Sequence, residues 1–484
     1  MVSFSNNIFM LGCGGVAQCT LPLLLDLIDI APSNVTIMDF VDNRSRVAPY
    51  LAQGVVYVQD TLTKDNYAQL LKKYLNPDDL FIDLSWNVDT CALLQWCHDN
   101  QVLYVNTSIE EWEPYQNVTN TPVRNLTLYY RHQEIKKMIN SWSGPRTTAI
   151  VDHGANPGLV SHFTKQALQN IAQKILSLKK SDARSAHLER ALADNNFAAL
   201  GQHTGTKVIH ISERDTQLTH KPKEVNEFVN TWSIEGFIEE GMAPAELGWG
   251  THERIIPLGA HEHTYGPKNQ ILLASMGMNT LVRSWVPSGP ILGMVIRHGE
   301  AYGISDRLTV WQDGKAVYRP TVHYAYCPCD SAYNSLFELR MRDFIMQPKK
   351  RILNDDIIKG ADEVGCLLMG HDFNSWWIGS VLDIEQARTL VPGQNSTTLQ
   401  VAISLVAAIH YAIEHPDKGF CLPDDIDHEY ILAIAKPYLG TFISEPVNWT
   451  PLNTQNSYFV FGKTPPLRDD VWQFSTFLVR NTTY

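Results

Sequence analysis

Two stretches of this 484-residue chain hold residues whose types and spacing could do chemistry. Between Thr231 and Glu253 the sequence places five glutamates, two tryptophans and four glycines, with no lysine or arginine. A glutamate taken singly is more simply a solvated surface residue. Acids interleaved with Trp232 and Trp249 and lacking basic partners fit a pocket for an organic cation, whose charge the carboxylates neutralise and whose methylenes or iminium lie on a ring face. A desolvated cation–π contact is worth about 2 kcal/mol, enough to help place a substrate but not to bind it alone. His298, in Ile296-Arg-His-Gly-Glu300, is a candidate proton carrier, because an ordinary pKa of about 6.5 lets it titrate near neutrality; it reads equally well as a hydrogen-bonded structural histidine.

The other stretch is Ile8–Ala17, an apolar run ending in Gly12-Cys-Gly14-Gly15-Val16-Ala17 and leading into a helix expected over Gln18–Ile30. Gly12 can adopt a backbone conformation closed to other residues, and Gly14 lets the main chain approach a pyrophosphate. Gly15 and Ala17 keep the helix start thin against the strand. Free N–H groups at the helix start, with the positive end of its dipole, then face the phosphates. Alone this could be an ordinary glycine turn. A second strand, Val35–Met38, ends on Asp39, whose carboxylate could accept both ribose hydroxyls, so the pattern favours NAD over NADP. Arg44 follows closely and could soften that preference.

Positioning these residues requires alternating elements. Strands are expected at Val55–Gln59, Leu80–Leu84 and Val102–Thr107, with helices at Lys64–Tyr74 and Thr90–Asp99 between them. That order means a Rossmann-type, doubly wound parallel sheet in an α/β protein. Ligands collect at the carboxyl ends of such strands, which places Thr61, Ser85, Asn87, Asp89, Thr107, Ser108 and Glu110 around the cofactor. From Pro145 the character changes: a strand at Thr147–Val151 runs into Asp152-His-Gly-Ala-Asn156-Pro-Gly158, then a helix over Leu159–Leu176, a polar tail over Lys179–Asp194, and a strand over Lys207–Ser212 ending in Glu213-Arg-Asp215. We expect an NAD-binding domain over 1–150 and a second α/β, mixed-sheet domain for substrate and dimerisation over 151–395. Apolar helices around 396–440, led by Ser396–Ile413, could return to the first domain or cross a dimer interface, and 441–484 forms a C-terminal extension.

Composition bounds the rest. With 44% hydrophobic and 19% charged residues, the chain can build more than one full core. It has no run of about 18 apolar residues and no leader-like start, so a cytoplasmic protein without membrane partners is expected. Eight cysteines in a chain this long do not make a disulfide framework. A net charge of −12 argues against nucleic acid as a partner. His261-Glu-His263 and Cys327-Pro-Cys329 form no four-ligand pattern, so no metal is expected.

The blocks Gly154-Ala-Asn-Pro-Gly158, Ile209-His-Ile-Ser-Glu-Arg-Asp-Thr-Gln217, Asn230-Thr-Trp-Ser-Ile-Glu-Gly-Phe237, Pro244-Ala-Glu-Leu-Gly-Trp-Gly-Thr-His-Glu253 and Tyr318-Arg-Pro-Thr-Val-His-Tyr-Ala-Tyr326 resemble the bacterial homospermidine synthases, relatives of the saccharopine dehydrogenases. The resemblance implies an NAD-dependent aminobutyl transfer from putrescine to putrescine or spermidine through an imine, with hydride removed and returned by the same NAD, in a homodimer. Carried over residue by residue, it makes Trp232 the cation–π tryptophan, Glu213, Glu240 and Glu110 pocket carboxylates, Asn156 and His298 polar positioning groups, and Asp89 an acid at the pocket entrance. The family has a proline after the glutamate matching Glu110, whereas this chain has Glu111, which leaves open which of the two points inward.

The residues suit that chemistry on their own terms. A primary alkylamine resembles lysine, with a pKa of about 10.4, and cannot give up hydride while protonated. The site must therefore hold one nitrogen neutral and the other charged, stabilise a developing iminium, and exclude water. A neutral His298 or a glutamate could take the proton, in a deep, narrow tunnel. A saccharopine-dehydrogenase-like oxidoreductase on an amino-acid adduct would instead call for an arginine fork. The arginine-free stretch argues against one, although Arg214, Arg283 and Arg297 leave room. A non-catalytic NAD-binding protein is a third reading.

Overall fold

The computed structural model describes residues 1–113, 121–144, 146–178, 183–452 and 471–479. The boundary expected at Pro145, the start of the polar tail at 179–182 and much of the C-terminal extension, 453–470 and 480–484, lie outside the described residues.

The N-terminal part forms β1 (Ile8–Leu11), α1 (Gly15–Leu27), β2 (Val35–Asp39), β3 (Val56–Gln59), β4 (Leu80–Asp83), α2 (Thr90–Asn100), β5 (Leu103–Asn106), α3 (Leu128–Ile139) and β6 (Ala149–Ile150). All residues of β1, β4 and β5 are buried, as a parallel sheet covered on both faces requires. The strands lie in the order β6-β5-β4-β1-β2-β3, every pairing parallel, with Phe420–Cys421 added beyond β6 as the seventh. Chain order reverses at β1, which puts a crevice at its carboxyl end beside Gly12. Helix α1 begins at the glycine turn itself, earlier than Gln18, and stops at Leu27, because Ile28–Asp29 pairs as a short strand with Val2–Ser3.

The second part contains α4 (Leu159–Leu178), β7 (Val208–Asp215), α5 (Ile234–Met242), β8 (Pro244–Gly248), α6 (Gly299–Arg307), β9 (Thr321–Cys327), β10 (Ala361–His371), β11 (Asn374–Asp383), α7 (Ser396–Glu414) and β12 (Thr441–Val447). Its ten-stranded sheet runs through β8-β9-β7-β10-β11-β12. Pairing is parallel between β7 and β9 and antiparallel elsewhere along that path, so the sheet is mixed. Part of the expected polar tail is a helix, Ala183–Ala193, because Ser185, Leu188 and Ala191 recur at helical spacing and are buried.

Helix α7 packs along α1 and also touches β5 and β10, tying the two sheets together. By length and composition it could cross a bilayer, yet 83% of its most apolar window is buried inside the fold. All eight cysteines are free thiols.

Candidate active site

The turn after β1 builds the nucleotide end. Gly12 has φ +95°, and a Cβ there would lie 2.7 Å from the Leu84 carbonyl oxygen just past β4, so only glycine fits. A Cβ on Gly14 would meet nothing within 4 Å, and Gly14 caps α1 without any side-chain hydrogen bond. A bare main chain at an uncapped helix N-terminus is what a pyrophosphate needs. Gly15 plays a different part from the one expected: its missing Cβ faces Thr398 of α7, 3.4 Å away, so it thins α1 toward that helix rather than the strand. Val16 is half-buried against the core.

Asp39 is buried at the end of β2, where its carboxylate accepts from Cys13 N–H (2.6 Å) and Val41 N–H (2.8 Å), pinning the glycine turn to the neighbouring strand. Arg44 is engaged within its own loop, paired with Asp42 at 2.9 Å and lying 5.1 Å from the Tyr57 ring. Thr61, Ser85 and Thr107 follow β3, β4 and β5. The Ser85 hydroxyl donates to Asp83 (2.5 Å), and Thr61 is exposed, its N–H on Asp60 (2.8 Å). These residues fit a dinucleotide.

A narrow cavity of ≈ 40 Å³ opens where the loop after β5 (Ser108–Glu110), α3, the turn after β6, α5 and the start of α6 converge. Glu110, Arg131, Asp152, Glu239, Glu240, Arg297 and His298 all line it. Asn106 holds two of these segments together, donating to the Ser108 carbonyl (2.7 Å) and accepting the Asp152 N–H (2.9 Å). Glu110 faces inward: Ser108 donates to one carboxylate oxygen (3.1 Å), and the other is buried without a partner. Glu111 turns to Arg131 (3.2 Å) and is 32% exposed, so of the two glutamates Glu110 belongs to the cavity.

Beyond the cavity an aromatic and carboxylate network continues from the sheet. Glu213 on β7 accepts from Asn156 Nδ2 (2.5 Å) and from the Tyr324 hydroxyl. Tyr324 and Tyr326, alternate residues of β9, stack at 5.3 Å; Tyr326 accepts from Trp232 Nε1 (2.9 Å), and the His298 ring lies 4.4 Å from Tyr324. Trp232 also packs on Phe237 and reaches Gly236 of the cavity wall, whose added Cβ would be 3.4 Å from the indole. No lysine or arginine among the described residues lies over the Trp232 ring. Asp215 and Asp362, paired across β7 and β10, add two more buried carboxylates.

Burial and the charge of Glu239 push the Glu110 carboxyl up to about 8, and burial pushes Glu213 up to about 7. Burial alone would lower His298, but Glu240 (2.9 Å) and Glu300 (3.2 Å) on its two ring nitrogens outweigh it and hold the ring well above its ordinary value. His298 is therefore an imidazolium clamped between acids. The two acids on its ring nitrogens favour the charged form, which does not fit the neutral proton carrier expected of it. Burial raises Glu239, and Arg297 (2.6 Å) with Arg131 (3.1 Å) more than reverses this, so it stays ionised.

Glu239 also corrects the arginine-free reading. The stretch itself has no arginine, but Arg131 and Arg297 reach it from α3 and from just before α6. Both are engaged by Glu239 and by backbone carbonyls of Ile109 and Leu126, and Arg131 by Glu111 as well, so neither is an unpaired fork awaiting a substrate carboxylate. The other glutamates divide: Glu235 pairs with Lys350 at the surface, Glu246 accepts the first N–H groups of α3, and Glu253 accepts from Phe474 N–H. Asp89 caps α2, accepting from Ala92 N–H (2.7 Å), and is not among the residues lining the cavity. Sequence reasoning missed Arg131, Asp152, Glu300, Tyr324 and Tyr326. The two tyrosines had a signal, since period-two alternation in a strand puts Tyr324 and Tyr326 on one face, as it does Glu213 and Asp215.

The family model of the saccharopine dehydrogenase NADP binding domain matches residues 8–150, and that of the saccharopine dehydrogenase C-terminal domain matches 154–447. Homospermidine synthase of Mesorhizobium japonicum is 38% identical over 480 residues, covering 98% of this chain and 96% of its own. That of Blastochloris viridis is 38% identical over 483 residues, covering 98% and 97%. The crystal structure of homospermidine synthase from Legionella pneumophila in complex with NAD superposes with a TM-score of 0.87 at 38% identity, covering 99% of both chains. Saccharopine dehydrogenase (L-Glu forming) from Saccharomyces cerevisiae, at 11% identity and a TM-score of 0.52, shares the fold. The chain belongs to the saccharopine dehydrogenase family, in its homospermidine synthase branch.

Proposed function

We propose that this protein makes homospermidine by NAD-dependent aminobutyl transfer from putrescine to putrescine or spermidine. The observation that carries the reading is the set of buried, unpartnered carboxyl oxygens around the cavity. Glu110, Asp152 and Glu300 each have a buried carboxyl oxygen with no hydrogen-bond partner; Glu110 and Asp152 line the cavity with Glu239 and Glu240, and Glu300 lies against His298. Burial and neighbouring acids hold Glu110 and Asp152 toward their protonated forms in the empty site, and an ammonium entering the cavity favours ionised carboxylates beside it. A diamine brings one ammonium at each end.

Gly12, Gly14, Gly15, Val16 and Asp39 would hold NAD, with Thr61, Ser85 and Thr107 at the neighbouring strand ends. When bound, the cofactor supplies reversible hydride acceptance. The protein does the rest. Glu110 anchors one ammonium. Glu213, raised toward neutrality and fixed by Asn156 and Tyr324, takes the proton that the reacting amine must lose. Trp232, its ring free of protein cations, stabilises the iminium. His298, Glu240 and Glu300 form a charged wall that orients the chain of the substrate, while Asp89 and Glu111, both half-buried outside the cavity lining, would add negative potential on the way in. The narrow cavity excludes water that would hydrolyse the imine.

The test uses putrescine deuterated at one amine-bearing carbon. Return of the same hydride retains the label in homospermidine. Loss of label with net release of reduced cofactor would make the protein an oxidoreductase of the saccharopine dehydrogenase type. We place the protein in the cytoplasm as a homodimer; Phe337, Met341 and Ile345 are exposed apolar residues that a second copy could cover, and sedimentation velocity would report a monomer if they are not.

A further inference from the structure

We propose that Asp152 is an acid–base group of this site, passing one proton between the attacking and the leaving nitrogen during amine exchange. The proposal rests on the aminobutyl transfer inferred above.

Asp152 follows β6 with a left-handed φ of +58°, uncommon for a residue with a side chain. Its N–H is held by Asn106 (2.9 Å), and its carboxylate accepts the Ile109 N–H from the neighbouring loop. The other oxygen, Oδ2, is buried in the cavity wall without a hydrogen bond. His132 Nε2 on α3 lies 3.4 Å from it and is also buried without a hydrogen bond. Space for Oδ2 exists only because residue 299 is glycine: a Cβ there would lie 2.2 Å from it. An aspartate serving only to shape a turn would have both oxygens bonded. Here an unusual backbone conformation holds a bare oxygen against the cavity, as functional strain does.

The charged groups around the pair are Glu300 and His298 from the start of α6, and Arg131 and Lys136 from α3. Burial and the charge of Glu300 push Asp152 up to about 8. Burial, Lys136 and Arg131 push His132 down to about 3, its ring stacked on Tyr302 at 4.3 Å. The one proton of the pair therefore sits on Asp152 at neutral pH, where a carboxylic acid can give it up and recover it.

In the exchange, the lone pair of the incoming amine R′–NH2 forms a bond to the carbon of R–CH=NH2⁺. The attacking nitrogen then carries the positive charge. Asp152 gives its proton to the original nitrogen and the carboxylate regains one from the attacking nitrogen. The original carbon–nitrogen bond breaks, its electron pair leaving with ammonia, and R–CH=NH⁺–R′ remains. Atoms and charge balance, and Asp152 ends as it began.

The test uses Asp152→Asn and Asp152→Gly, both residue types that tolerate a left-handed φ, in the full-length protein. NAD affinity by calorimetry reports that the turn is intact, and ammonia release from ¹⁵N-putrescine reports the exchange. NAD binding should be kept in both variants. Ammonia release should fall at least about a hundredfold, and formate, entering the space the side chain left, should restore part of it in Asp152→Gly alone with saturation. Ammonia release within about threefold of the parent protein, or loss of NAD binding in both variants, would overturn the proposal. A parent protein that releases no ammonia and forms no homospermidine would instead refute the underlying function.

Discussion

Glu110→Gln should make the substrate-free protein more stable and a poorer enzyme. Burial and Glu239 raise this carboxyl from 4.5 to about 8, and its inner oxygen has no partner. The raised value means that the folded state keeps a proton which the unfolded chain releases above about pH 4.5. Stability therefore falls as pH rises from about 4.5 to about 8 and is level beyond. At pH 7 the penalty spans about 2.5 pH units, or about 3 kcal/mol at 1.36 kcal/mol per unit. At pH 5 it is below about 1 kcal/mol. A neutral amide of the same shape removes the penalty, while losing a charge-assisted bond to the substrate ammonium worth about 1.5–3 kcal/mol, a rise of about ten- to a hundredfold in KM. Urea unfolding of the cofactor-free protein at pH 5 and pH 7, paired with putrescine kinetics, reads both sides. A variant no more stable than the parent at pH 7, or equally stabilised at the two pH values, would refute the reasoning.

Trp232→Ala should leave NAD bound and cost at least about tenfold in turnover, since a desolvated cation–π contact is worth about 2 kcal/mol; unchanged turnover removes that role. Gly14→Ala meets no atom within 4 Å and has a permitted φ of −74°, so melting without cofactor should not change. NAD affinity should nonetheless fall at least about tenfold, because the added methyl covers the bare main chain. Equal affinity by calorimetry would place the pyrophosphate elsewhere. ¹⁵N NMR should find both His298 ring nitrogens protonated at pH 7.5. Its raised pKa contributes stability that is complete below about pH 6.5 and is lost only as pH climbs through the folded value. A neutral His298 at that pH would dissolve the charged wall.

The parts of the site legible in sequence are those set by local backbone chemistry. Gly12 is readable because its conformation excludes every other residue, and Asp39 because it ends the next strand at a fixed distance along the chain. Trp232 and His298 stand out by residue type in glycine-rich stretches, and Glu240 by the family resemblance of the stretch that holds it. What sequence hid is pairing over distance. Arg131 lies 108 residues from the Glu239 it neutralises, and Arg297 lies 58, so the stretch looked free of basic partners when its fold is not. Asp89 and Glu246 are both acids near pocket segments, yet each accepts backbone N–H groups of a helix start, a use that only the fold distinguishes from binding. His298 changed character for the same reason: Glu300 is two residues away, but Glu240 comes from another helix. Residues 183–193 read as a polar tail because only three buried positions mark their helix.

The central claim is a closed hydride cycle in which carbon–nitrogen transfer occurs without net oxidation. Purified protein incubated with putrescine and a catalytic amount of NAD⁺ tests it directly, with polyamines followed by mass spectrometry and NADH by absorbance. Homospermidine formed in large excess over cofactor, with no accumulation of NADH, is the predicted result. NADH rising in step with product would contradict it.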